Sequence, residues 1–111
     1  MATPREDVVK AKGLLEEREH VPEGTTMELH ALLSCVREIV LTEETVQPWR
    51  DVVGLAEQVD TSSAAGVLGL MGAIEEASMT PLPPRGWLRV DLARTDFARA
   101  VNRAVEPVEA A

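Results

Sequence analysis

The sequence predicts an all-α protein, a compact bundle of four to five helices that forms a single domain over residues 1–111. Apolar residues make up 45% of the chain but aromatic residues only 3%, so we expect an aliphatic core, which suits packed helices better than a β-sandwich. Apolar residues also recur at three- and four-residue spacing. Capping residues, prolines and glycines divide the chain into segments of helical length. At most one short strand or hairpin is expected, near residues 87–92.

Two helices are predicted in the N-terminal part of the chain. The first spans residues 4–19, because Thr3 and Glu6 have the spacing of a capping box and a proline follows Thr3. The second spans residues 26–41 and begins with a similar box at residues 25–28. Its apolar side chains cover more than half of the helical circumference, which indicates a core helix or one shared with a neighbouring molecule.

Three further segments complete the predicted bundle. Pro48 opens the third helix, and N-cap residues precede a fourth helix over residues 63–79. The prolines of residues 80–86 are expected to form a stiff connector, in preference to a ligand for proline-binding domains. Apolar and charged residues then alternate over residues 88–92, which predicts a short strand; helical continuation is the alternative. The last helix is expected over residues 97–105 with Thr95 or Asp96 as its cap, followed by a frayed tail at residues 106–111.

A row of glycines marks the fourth helix, where Gly66, Gly69 and Gly72 recur every three residues. Each interior glycine costs about 1 kcal/mol relative to alanine, so the row needs a structural reason. Glycines on one side of a helix let another backbone approach closely. We expect this side to pack against the second helix within one molecule, with self-association through the same side as the alternative. The opposite side is apolar and carries Val67, Leu70, Met71 and Ile74.

Residues 55–77 combine Leu55-Ala56-Glu57, a serine-rich turn, a second helix and Ile74-Glu75-Glu76-Ala77. This order resembles the helix-turn-helix of winged-helix regulators, and the segment from Trp87 to Leu92 would then form the wing. The resemblance implies a DNA-binding regulator whose second helix reads base edges. That helix begins Ala-Ala-Gly-Val-Leu-Gly-Leu, without the polar or basic side chains that hydrogen-bond to bases. Its chemistry favours a protein interface.

The charge of the chain is acidic, with a formal net charge of −8. That balance opposes non-specific binding to nucleic acid and to an anionic membrane surface. Residues 85–103 are the exception, with five arginines and two aspartates. Arg99 and Arg103 lie one turn apart, a spacing suited to an acidic partner surface. A solvated face that pairs with neighbouring carboxylates is the favoured interpretation.

Residues suited to catalysis or metal binding are scarce. His20 and His30 are the only histidines and Cys35 is the only cysteine, so neither a disulfide nor a thiol-based zinc site can form within the chain. The sequence contains no nucleophile elbow and no phosphate-binding glycine loop. We therefore predict no enzymatic activity, no cofactor and no metal.

Targeting signals are also missing from the pattern of the sequence. The first residues do not resemble a signal peptide, and the longest apolar stretch is about half of a membrane span. These features, together with the lone cysteine, predict a cytoplasmic protein that does not bind membranes. Nine arginines against two lysines are typical of a GC-rich bacterial genome or its phage.

The predicted function is that of a small, non-enzymatic protein-binding module: a regulator, an adaptor, an immunity or antitoxin-like protein, or a phage accessory protein. Its partner is another protein, and the large amount of apolar helix surface among 111 residues is also compatible with a homodimer. The alternative is a winged-helix-like transcriptional regulator that contacts DNA through the C-terminal arginine segment. The expected interaction residues are Leu32, Val36, Gly66, Gly69, Leu70, Gly72, Trp87, Arg99 and Arg103.

Overall fold

Five α-helices form the bundle in the computed structural model of the protein, which describes residues 3–105. They are α1 (Pro4–Glu16), α2 (Thr26–Arg37), α3 (Gln47–Gln58), α4 (Ala64–Ala77) and α5 (Trp87–Val105). The predicted all-α bundle is therefore confirmed. Within the described residues, β-structure is limited to two isolated bridges, His20–Ser63 and Val40–Arg85. The predicted tail at residues 106–111 lies outside the described range.

The helix starts show which local signals were sufficient. The hydroxyl of Thr3 accepts from the backbone N–H of Glu6 at 3.2 Å, and the Glu6 carboxylate accepts from the N–H of Thr3 at 3.4 Å, so the first capping box is confirmed. The second box is wrong. Thr25 makes no side-chain cap: its backbone has ψ 3° and not the extended conformation of Thr3, and its buried hydroxyl donates to the carbonyl of Pro22 at 2.8 Å. The turn before α2 therefore holds the hydroxyl that the box would have used.

The first two helices end earlier than their apolar patterns predict, because the backbone that follows each one pairs elsewhere. After α1, the carbonyl of Glu19 accepts from the N–H of Ala64 at 3.1 Å, and the N–H of Val21 donates to Ser62 at 3.0 Å. After α2, Val40 forms its bridge with Arg85. Backbone pairing with distant loops replaces the last helical turns.

The core is one cluster to which all five helices contribute buried side chains. α1 and α2 both pack along α5, while α4 packs on α3 and α1, and α2 also contacts α3. Most fully buried side chains are aliphatic, as expected, yet the two largest are Trp49 and Phe97. Two of the three aromatic residues of the chain therefore lie in the core, where their size fills space between helices.

The short strand or hairpin predicted near residues 87–92 is wrong, because this segment is the first part of α5. Gly86, at φ +98°, turns the chain out of the proline segment, and its carbonyl accepts from the N–H of Val90 at 3.2 Å. Val90 is buried together with Ala93 and Phe97, at helical spacing. The helical spacing of Val90, Ala93 and Phe97 therefore predicts this segment better than the alternation of Leu88, Val90 and Leu92, which suggested a strand. Thr95 is not a cap, since its hydroxyl donates to a carbonyl one turn earlier within the same helix.

The helices of the bundle differ in length and in apolar content. None of those described between residues 3 and 105 combines the length and the apolar content that crossing a membrane requires.

Candidate functional site

The predicted interaction residues on α2 and on the apolar side of α4 lie inside the bundle. Leu32, Val36 and Leu70 are each 0% exposed. They pack in the main core cluster with residues of the other helices. A partner could touch them only if helices separated, so in the folded monomer these side chains stabilise the fold and do not form a docking surface.

No other helix of the monomer packs closely against Gly69 and Gly72 of the glycine row. Apart from its chain neighbours and the backbone of α4 itself, a Cβ atom built on Gly69 or Gly72 would meet no described atom within 4 Å. Only Gly66 is close to backbone, with the carbonyl oxygen of Asp60 3.2 Å from such a Cβ. In addition, α4 packs mainly on α3 and α1. The expectation that the row packs against α2 is therefore wrong, and self-association through it stays a prediction.

The arginines of α5 are largely engaged by carboxylates of the same chain. Arg99 Nε donates to Asp7 Oδ2 at 2.9 Å, which ties α5 to α1. Arg94 pairs with Asp91 at 2.7 Å, and Arg89 lies 3.4 Å from Glu38. Arg103 is exposed in the last turn of the helix. This pairing agrees with the favoured interpretation of the arginine segment as a solvated face.

A second feature of α5 is apolar and was missed by the sequence analysis. Leu88 is 73% exposed, Leu92 is 67% exposed, and Met27 of α2 is 83% exposed. Leu88 and Leu92 lie one helical turn apart on the outer side of α5. Met27 lines a shallow cleft with Ala93, the residue after Leu92. These residues, with the exposed Ala31 of α2, form what we call the α2–α5 face.

The direction of the two helices gives this face two distinct ends. Glu38, just after α2, lies beside Arg89 in the first turn of α5, whereas Met27 in the first turn of α2 shares its cleft with Asp96. The helices therefore run antiparallel. Leu92 lies between the cleft at one end and the start of α5 at the other.

At the start of α5 the face continues into a groove, which we call the proline groove. It has a volume of 560 Å³, and its apolar lining includes Val40, Pro83, Pro84, Trp87 and Leu88. Trp87, one of the predicted interaction residues, is half-buried here, and its role in binding stays a prediction. The ring of Trp87 meets the ring of Trp49 edge to face, with centroids 5.2 Å apart. The groove therefore rests on a core tryptophan.

A more polar cleft lies on another side of the molecule, between α1, α4 and α5. Arg5, Lys12, Arg94 and Glu75 are among its lining residues. Lys12 Nζ donates to Glu75 Oε2 at 2.7 Å, and this hydrogen bond lowers the pKa of Glu75 below its ordinary value. Lys12 is paired with Glu75 and Arg94 with Asp91, so only part of the positive charge of this lining is open to an anionic ligand.

Groups that could bind a metal or act in catalysis are dispersed over the described residues. Between residues 3 and 105, no three His, Cys, Asp or Glu side chains come together in a way that could hold a metal ion. Cys35 is a half-buried free thiol, and His20 and His30 are exposed on different segments. The hydroxyl and the N–H of Ser62 both donate to the carboxylate of Asp60, and these hydrogen bonds lower the pKa of Asp60. The same two hydrogen bonds stabilise the turn before α4.

Comparison with known proteins gives no family to which the chain can be assigned. No protein-family model, no curated protein and no solved structure matches it.

The helix-turn-helix resemblance can be tested against the fold itself. α3 and α4 do pack together across the turn at residues 59–63. The expected wing, however, is part of α5. Ala65 and Gly69 lie on the exposed side of α4, together with Glu76 near its C-terminal end, so this side offers no hydrogen-bond donor to base edges.

Proposed function

We propose that the chain is a small, non-enzymatic protein-binding module that docks its partner on the α2–α5 face and the adjoining proline groove. The observation that carries this proposal is the exposure of Met27, Leu88 and Leu92, at 83%, 73% and 67%, on two neighbouring helices. Single exposed apolar residues are normal, but exposed leucines one helical turn apart beside an apolar groove are typical of an interaction site.

The composition of this face supports a protein as the ligand. Methionine and leucine side chains contribute apolar contact area without fixed hydrogen-bond geometry, and methionine adapts to irregular partners. Charged residues surround them: Glu38 and Arg89 at one end and Asp96 at the other. An apolar centre with a charged rim is the usual anatomy of a protein interface.

The groove adds a preformed feature to the face. Trp87 is braced against Trp49, and the segment after Ile39 is held by the Val40–Arg85 bridge. A site held in place by core contacts loses less conformational entropy on binding than a mobile loop does. Tryptophan at such a position is also enriched among residues that dominate binding energy.

This proposal keeps the broader prediction of a regulator, an adaptor, an immunity or antitoxin-like protein, or a phage accessory protein. A cytoplasmic location and a bacterial or phage origin remain part of it. It moves the docking surface from the buried residues of α2 and α4 to exposed residues of α2 and α5. DNA binding through the arginine segment is not favoured, since Arg99, Arg94 and Arg89 already have carboxylate partners.

The test is a capture experiment from lysate of the source cell with matched variants. Tagged wild type, a double variant Leu88→Glu with Leu92→Glu, and a control variant Val9→Glu are compared with and without nuclease. Val9 is 63% exposed on α1, away from the α2–α5 face. Melting temperatures establish that all three proteins are folded.

The expected result is a stoichiometric protein that survives nuclease, is retained by Val9→Glu and is lost by the double variant. A protein retained equally by all three would place its site elsewhere on the surface. A catch that disappears with nuclease would contradict the proposal and favour nucleic acid instead.

A further inference from the structure

The two ends of the α2–α5 face differ in charge and in shape. Glu28 and Asp96 lie beside Met27 at one end, which we call the acidic end. Arg85 and Arg89 border the proline groove at the other end, with Glu38 paired to Arg89. One end is therefore acidic with a protruding methionine, and the other has an excess of positive charge beside a groove.

We infer that the partner of this face is a second copy of the same chain, bound through a twofold axis that passes between Leu88 and Leu92. The inference rests on the proposed function and names its partner. A twofold axis that lies in the plane of the interface, at right angles to α5, turns the face over end for end, so each end meets the opposite end of the other copy. Leu88 of each copy then faces Leu92 of the other copy, so the dimer contains two equivalent leucine contacts.

Charge complementarity is what selects a second copy over an unrelated protein. In this arrangement the acidic end with Asp96 covers the arginine end of the other copy, and Arg85 is free to approach that carboxylate. Arg99 is the first arginine after Asp96 in α5, and its charge is paired with the carboxylate of Asp7 at 2.9 Å. Arg103 lies seven residues beyond Asp96, about 10 Å along the helix, and so does not cancel the acidic end.

Shape complementarity follows the same operation. Met27, 83% exposed, protrudes at the acidic end, and the twofold axis brings it over the proline groove of the second copy. An unbranched, flexible side chain suits an open groove lined by proline, valine and tryptophan. Each copy supplies one methionine and one groove, so both contacts form together or not at all.

The first experiment is sedimentation velocity of the purified full chain from low micromolar to submillimolar concentration. The expected result is a mass that rises from one chain to two. Leu92→Glu should raise the dissociation constant of the dimer by about tenfold or more, as for central residues of an interface. Val9→Glu should dimerise like the wild type.

A charge exchange tests the orientation. Asp96→Arg alone and Arg85→Glu alone should each weaken the dimer, and an equimolar mixture of the two variants should recover part of the loss. A dimer that is weakened by Leu92→Glu but unaffected by either charge variant would overturn the twofold arrangement.

A disulfide test locates the methionine. In a Cys35→Ser background, Met27→Cys mixed with Val40→Cys should cross-link between chains faster than either variant alone. No preference for the mixed pair would overturn the placement of Met27 in the groove.

Failure of the inference and failure of the proposed function give different results. A chain that stays monomeric at every concentration overturns the dimer, while the lysate capture still reports on binding through the same face. A dimer that is broken by Gly69→Leu and not by Leu92→Glu overturns the inference in favour of the glycine row.

Discussion

The ring of Trp49 meets the ring of Trp87 edge to face, with centroids 5.2 Å apart and planes at 66°. Trp49 comes from α3 and is fully buried, whereas Trp87 opens α5 and is half-buried. The indole N–H of Trp49 also donates to Thr80 Oγ1 at 3.1 Å. One core side chain therefore fixes both the start of the proline segment and the first residue after it.

The Trp49–Thr80 hydrogen bond predicts an unequal effect of two substitutions. Thr80→Val keeps the shape of the side chain but leaves the buried indole N–H without an acceptor, which should lower the free energy of unfolding by about 1–3 kcal/mol. Thr80→Ser keeps the hydroxyl and should cost much less. Urea unfolding followed by tryptophan fluorescence measures both. Equal losses for the two variants would show that the hydrogen bond does not contribute.

The Lys12–Glu75 pair predicts a pH dependence. The hydrogen bond from Lys12 holds the pKa of Glu75 below its ordinary value of 4.5. A carboxyl with a depressed pKa stabilises the fold above its unfolded pKa, and this contribution disappears as the pH falls through the folded pKa. Because both side chains are partly exposed, Lys12→Gln should cost less than about 1 kcal/mol at neutral pH.

The same pair supplies its own control. The difference in unfolding free energy between wild type and Lys12→Gln should vanish well below pH 4.5, where Glu75 is protonated. In a Glu75→Gln background, Lys12→Gln should have no effect at either pH. A difference that persists in acid would mean that Lys12 stabilises the fold by packing and not by its charge.

The cap of α4 predicts a loss of stability from a single atom group. Ser63 Oγ accepts from the N–H of Gly66 at 3.1 Å, and Ser63→Ala removes this acceptor. The expected loss is about 1 kcal/mol. Ser34→Ala, at an exposed position within α2, is the matched control and should cost nothing. Thermal unfolding of both variants decides the matter, and a similar loss in each would argue against the cap.

The glycine row predicts a gain of stability. Gly69 has ordinary helical backbone and no described atom within 4 Å of an added Cβ, so Gly69→Ala should raise the free energy of unfolding by about 0.5–1 kcal/mol. Gly66→Ala should gain less, because its Cβ would lie 3.2 Å from the Asp60 carbonyl oxygen. Denaturant midpoints and sedimentation measure the outcome. A Gly69→Ala variant that is less stable, or that changes oligomeric state, would indicate contact with another chain.

The sequence by itself determined the helical class and the helix starts that depend on neighbouring residues. Thr3 and Glu6 cap α1, and Ser63 caps α4, because these contacts span only three residues and need no other part of the fold. Trp87 was expected in a short strand and begins α5 instead, while its role as an interaction residue stays a prediction.

Only the tertiary structure decided which apolar residues are available to a partner. Leu32 and Leu92 are both leucines on helices, yet Leu32 is fully buried and Leu92 is 67% exposed. Apolar periodicity shows which residues share a side of a helix, but burial depends on which other helices cover that side. The side of α5 with Val90 and Phe97 is covered, whereas the side with Leu88 and Leu92 is exposed, because α1 and α2 pack along only part of the circumference of α5.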